Sequence, residues 1–72
     1  MKRYYLNLNQ QPSGQYELHE ENCTFIEDSK NMDYIGYFSN CFDAIEAAKE
    51  KYPSIANHID GCFYCSRPCN HG

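Results

Sequence analysis

Between residues 4 and 9 apolar and polar side chains alternate without interruption. Tyr4, Leu6 and Leu8 fall on one side of an extended chain, and Tyr5, Asn7 and Asn9 on the other. A period of two is the pattern of a strand with one face on a core. Gln10-Gln11-Pro12-Ser13-Gly14 carries turn chemistry, with Pro fixing φ and Gly accepting positive φ. The alternation resumes in Gln15-Tyr16-Glu17-Leu18-His19, where Tyr16 and Leu18 share the core side and Glu17 and His19 the opposite one. Residues 2–20 are therefore predicted as an antiparallel hairpin across a loop of about five residues. Glu27-Asp28-Ser29-Lys30-Asn31 reads as a polar surface loop. Tyr34-Ile35-Gly36-Tyr37-Phe38 then supplies a third strand over residues 33–38, in which Gly36 marks a bulge or a close backbone approach.

The period then changes. Cys41, Ala44, Ile45, Ala48 and Tyr52 fall at i, i+3, i+4, i+7 and i+11, the apolar stripe of a helix lying on a sheet. A helix is predicted over 41–52, with Glu46, Lys49, Glu50 and Lys51 facing water. Asn40 or Ser39 can cap it, and Asp43, three residues after Asn40, resembles the reciprocal half of a capping box. Pro53 stops it, Ser54 can cap a short turn through His58, and Asp60-Gly61 turns the chain into a cysteine-rich end over 60–72. The expected fold is α+β in a single domain of residues 1–72. It has a small antiparallel sheet of about three strands, the hairpin plus one, with one main helix packed on one face.

Size and composition add a constraint. A 72-residue chain buries only about 60% of its unfolded surface, so a metal or disulfide staple is expected. The chain is 42% apolar with seven Tyr, four Phe and no Trp, which predicts a core built largely from aromatic rings. Its formal charge is −4 and its six Lys and Arg are scattered. Phosphate backbones are held by clustered cations, so nucleic acid is an unfavourable partner. No apolar run is long enough for a membrane helix, and no apolar segment follows Met1-Lys2-Arg3 as in a signal peptide. The compartment expected is the cytoplasm, where thiols stay reduced and clustered cysteines read as metal ligands.

The chemistry concentrates at the C-terminus, where Cys62, Cys65, Cys69 and His71 stand within twelve residues. Cys62-x-x-Cys65 is a knuckle that can direct two thiolates at one tetrahedral ion, and a closed site needs two more ligands. His19-x-x-x-Cys23 is the matching pair upstream. A Cys3His zinc site of His19, Cys23, Cys62 and Cys65 is expected, one zinc per chain. Closing the intervening chain with an ion turns binding energy into folding energy. Four protein ligands leave no position for substrate, so that zinc would be structural. Cys69 and His71 also have ligand chemistry and form alternative ligands, against the plainer reading of a frayed terminus with Cys69 partly buried. Cys41, in the first helical turn, reads as a small buried hydrophobe in preference to a reactive thiol. His58 has no partner at metal spacing and reads as surface, and Glu20, Glu21, Glu27 and Asp28 read as a solvated acidic face. Five cysteines is an odd number, which counts against a purely disulfide framework.

The order of these motifs is similar to the Ada-type metal-binding domain superfamily: His19-x-x-x-Cys23, a strand ending in Phe38, Ser39-Asn40-Cys41-Phe42-Asp43-Ala44 opening a helix, then Cys62-x-x-Cys65. The likeness spans about residues 14–66. The chain also resembles small bacterial proteins carrying H-x-V-H-x-x-x-C and D-G-C-x-x-C-x-x-x-C-H, matched by Leu18-His19 and by residues 60–71. The superfamily resemblance implies zinc at His19, Cys23, Cys62 and Cys65. It does not bring the superfamily's DNA-repair chemistry, in which a zinc thiolate accepts a methyl group on a basic DNA-facing surface, because this chain is acidic and has His at the first ligand position. The tail from Ser66 to Gly72 departs from the superfamily pattern.

Three functions are weighed. The first is a non-enzymatic, zinc-stabilised interaction module, monomeric, acting through a protein partner. The second is a thiol-reactive protein, an alkyl acceptor or redox protein using Cys69, Cys65 or Cys41. The third is a disulfide-stapled domain. No glycine-rich phosphate loop, nucleophile elbow or H-E-x-x-H motif points to an enzyme.

Overall fold

The computed structural model describes residues 1–23 and 31–71. The first hairpin forms as the alternation requires. Strand β1, Lys2–Asn7, pairs antiparallel with β2, Tyr16–Glu20, placing Leu6 opposite Leu18 and Tyr5 opposite His19. Strand β3, Met32–Phe38, adds antiparallel to the other edge of β1. The register shifts there, since Tyr4 faces Gly36 while Tyr5 faces Tyr34, which leaves Ile35 as the extra residue of a bulge. Gly36 stands directly after that extra residue, and a Cβ on it would lie 2.6 Å from the Phe38 ring, so the close approach is by a side chain and not by backbone.

Helix α1, Cys41–Lys51, starts where the Asn40 side chain accepts a 2.9 Å hydrogen bond from the Asp43 backbone N–H. The return half of the cap is a 3.3 Å bond from the Asn40 amide to the Asp43 carboxylate. Cys41, Ala44 and Ala48 are buried, with Ile45 and Tyr52 partly so, and this stripe lies on Tyr4, Leu6, Leu18 and Ile59 of the sheet. Lys51 does not merely face water: it pairs with Asp33 at 2.6 Å, and the Tyr52 hydroxyl donates to the same carboxylate at 2.6 Å. After α1 a 3₁₀ helix, Pro53–His58, runs without a side-chain cap, and His58 is exposed.

Four points differ from the sequence reading. Among the described residues the sheet has four strands and is mixed. Strand β4, Ile59–Gly61, lies parallel to β2 with Tyr16 opposite Ile59 and Leu18 opposite Gly61, giving the order β3-β1-β2-β4. Asp60-Gly61 is therefore strand and not turn; two turn-prone residues sit in it because backbone pairing to β2 does not depend on their side chains. Leu8 lies past the end of β1 and is 41% exposed, while Asn7 is buried and its Oδ1 accepts from the Asn9 backbone N–H at 2.9 Å. The core is more aliphatic than the composition suggests: Tyr4 is its one fully buried aromatic among the described residues, and Tyr34, Tyr37, Phe42, Phe63 and Tyr64 are exposed. Asn70 and His71 are not frayed. The His71 backbone N–H and the Asn70 amide both bond the buried Asp60 carboxylate, and the Asn70 amide also reaches the Gly61 carbonyl.

Of the polar loop, Glu27, Asp28, Ser29 and Lys30 lie outside the described residues. Glu20 and Glu21 are ion-paired to Lys2 and Arg3 across the hairpin, at 3.0 and 3.2 Å, and do not form an unpaired acidic face. Among the described residues no helix is long and apolar enough to cross a membrane.

Candidate metal centre

Four segments converge beside β2. His19 comes from β2 itself, on the face away from Leu18, and is 1% exposed. Three residues past the end of β2 the chain has turned back, the Cys23 N–H donating to the Glu20 carbonyl at 3.1 Å, and Cys23 is buried. Cys62 follows β4 directly and is fixed by its N–H on the Leu18 carbonyl at 2.9 Å. The knuckle closes when the Ser66 N–H bonds the Cys62 carbonyl at 2.8 Å, which turns Cys65 back over the site. The parallel β2–β4 pairing thus places the knuckle against the His19 end of the hairpin.

One nitrogen and three sulfurs lie within 4.8 Å of one another, from His19, Cys23, Cys62 and Cys65. Cys23 Sγ is 3.8 Å from Cys62 Sγ, and Cys65 Sγ is 3.8 Å from His19 Nδ1. This group could hold a metal ion. Further contacts around it fit that role. The Glu20 backbone N–H points at Cys65 Sγ from 3.3 Å, and Ser66 Oγ is 3.7 Å from the same sulfur. Glu17 Oε1 lies 3.7 Å from His19 Nε2, beyond hydrogen-bond distance.

Burial pushes the Cys65 thiol up to about 12, against the pull of the Glu20 N–H, and burial raises the Cys62 thiol as well. Thiols that resist ionisation when buried are deprotonated outright on coordination to a metal.

The two alternative ligands stand apart from this group. Cys69 is bonded through its sulfur to Cys41, with Cα atoms 6.3 Å apart, and both residues are buried. Cys41 is buried as expected, but as half of a disulfide and not as a free apolar side chain. His71 has an exposed side chain beside α1. The five cysteines divide into one disulfide and three that keep their thiols, Cys23, Cys62 and Cys65.

No protein-family model matches the chain, and neither a curated protein nor a solved structure matches it. Nothing in these comparisons identifies the Ada-type superfamily.

Proposed function

We propose that the chain is a small zinc-stabilised, non-enzymatic module that acts by binding a protein partner, with one structural zinc held by His19, Cys23, Cys62 and Cys65. The observation that carries this reading is the convergence of the four donor atoms within 4.8 Å. Ligands about 2.0–2.3 Å from a tetrahedral zinc stand about 3.5–3.8 Å from each other. The 3.8 Å sulfur–sulfur and sulfur–nitrogen separations fit that geometry. A set of four protein ligands leaves no coordination position for substrate, which favours a structural over a catalytic ion. The charge of −4 makes nucleic acid an unfavourable partner. The likeness to Ada-type domains leads to the same four residues and to zinc, and not to alkyl transfer.

A second reading, a thiol-reactive protein, is favoured by one feature: Cys65 is the only one of the three thiol residues that is not fully buried. Alkylation kinetics on the metal-loaded chain separate the two. A structural site keeps Cys23, Cys62 and Cys65 unmodified until a chelator is added, after which all three react. Fast modification of Cys65 alone with metal still bound would replace the structural reading with the reactive one.

A further inference from the structure

Cys62 and Cys65 bring their sulfurs to the His19 group, while the two residues between them, Phe63 and Tyr64, are exposed. Their rings meet edge to face with centroids 5.3 Å apart, a favoured arrangement for an aromatic pair. The guanidinium of Arg67, also an exposed residue, lies 5.0 Å from the centroid of the Phe63 ring. The backbone carrying these three side chains is held along its length. The Cys62 N–H bonds the Leu18 carbonyl, the Ser66 N–H the Cys62 carbonyl and the Asn70 N–H the Arg67 carbonyl, at 2.9, 2.8 and 3.0 Å, and Cys69 is tied to Cys41. Contact groups on backbone that is already ordered lose less freedom on binding.

Charge sets Arg67 apart from the other cations of the fold. Lys2, Arg3 and Lys51 are each paired with a carboxylate, those of Glu20, Glu21 and Asp33. Among the described residues no carboxylate pairs with Arg67, and its guanidinium donates no hydrogen bond. A guanidinium held over a ring by cation–π attraction still has its N–H donors to give, in a fork that matches a carboxylate.

We propose that Phe63, Tyr64 and Arg67 form a docking site for an acidic segment of a partner protein. Arg67 takes an Asp or Glu carboxylate in a two-pronged pair, and the two rings cover an apolar side chain beside it. Tyr and Arg are among the residue types in which interface binding energy concentrates. Two exposed rings are also a stacking platform for single-stranded bases, but the charges favour protein. A phosphate backbone is held by a track of cations, and Arg67 is the only Lys or Arg between residues 52 and 72. One unneutralised cation matches one carboxylate. Such docking deepens the partner-binding reading above and rests on it, independently of which ion fills the centre.

The probe is a phage-displayed library of random peptides selected on the full chain, with the enriched peptides synthesised and titrated. They should carry Asp or Glu next to a large apolar residue, and their nuclear magnetic resonance shifts on the parent chain should centre on residues 62–67. Arg67→Gln and Phe63→Ala should each weaken binding about tenfold or more. Changing the peptide's acid to its amide should weaken binding to the parent chain and make no further difference with Arg67→Gln. Tyr34→Ala, at an exposed ring on β3, should leave binding unchanged. Enriched peptides without an acid, equal binding to Arg67→Gln, or no enriched peptide overturns the proposal. So does an oligothymidylate that shifts residues 62–67 at physiological salt where no peptide does. Peptides that bind away from the knuckle overturn this site and leave the partner-binding reading standing, whereas a metal-free chain that still binds them at Arg67 overturns the zinc and keeps the site.

Discussion

Leu18 and His19 are neighbours on β2, and both are almost wholly buried, at 0% and 1% exposure. They are buried by different chemistry. The Leu18 side is closed by apolar contacts among Leu6, Ala44, Ala48 and Ile59, with the Cys41–Cys69 disulfide in the same cluster. The His19 side is closed by three cysteines, Ser66 and a directed backbone N–H. The knuckle over it turns its own large side chains outward, with Phe63 48% and Tyr64 68% exposed. A chain of this length has apolar residues enough for one face of its sheet. The helix face adds a disulfide to that apolar cluster, while the other face has a His/Cys group that could hold a metal ion, and the two can be broken separately.

Removing the metal should have the largest effect. Structural zinc contributes about 10–16 kcal/mol in zinc-finger peptides, comparable to or above the whole stability of a small domain. Chelation is expected to unfold the chain cooperatively, read by loss of near-ultraviolet dichroism. A chain that keeps that signal after chelation would show that the helix side suffices alone. Next is Leu18→Ala, which opens a cavity on the apolar side and should cost about 2–5 kcal/mol in urea unfolding. Its metal stoichiometry should be unchanged, and loss of metal would mean the two sides are not separable. Asn40→Ala removes the α1 cap and should cost about 1 kcal/mol by the same measurement.

The smallest effect belongs to acid. Burial would raise Asp33, but hydrogen bonds from Lys51 and Tyr52 outweigh it and hold the carboxyl below its ordinary value of 3.8. A carboxyl lower in the folded than in the unfolded chain contributes stability that is full above the ordinary value and fades as pH falls through the folded one. Asp33→Asn should therefore flatten the stability profile below about pH 4 and leave its slope near neutrality unchanged. An unchanged acid limb would remove Asp33 from the account.

The elements that were legible are those with a long period. The hairpin, the bulge at Gly36 and the stripe from Cys41 to Tyr52 all follow from side-chain alternation or from one small residue. Strand β4 was not legible, because three residues containing Asp60 and Gly61 carry no alternation and pair with a strand some forty positions earlier. Its parallel register nevertheless carries the knuckle to His19. The grouping of His19, Cys23, Cys62 and Cys65 could be read from ligand spacing before any topology was known. The Cys41–Cys69 bond could not, since a helix-stripe cysteine and a tail cysteine have no spacing signature. It also departs from the expectation of uniformly reduced thiols.

Native mass spectrometry of the chain purified without chelator tests the central claim most directly. The account predicts one zinc per chain and a protein mass two units below the fully reduced value, with three thiols appearing on chelation. A folded chain carrying no metal, or one with Cys23, Cys62 or Cys65 in a disulfide, would contradict it.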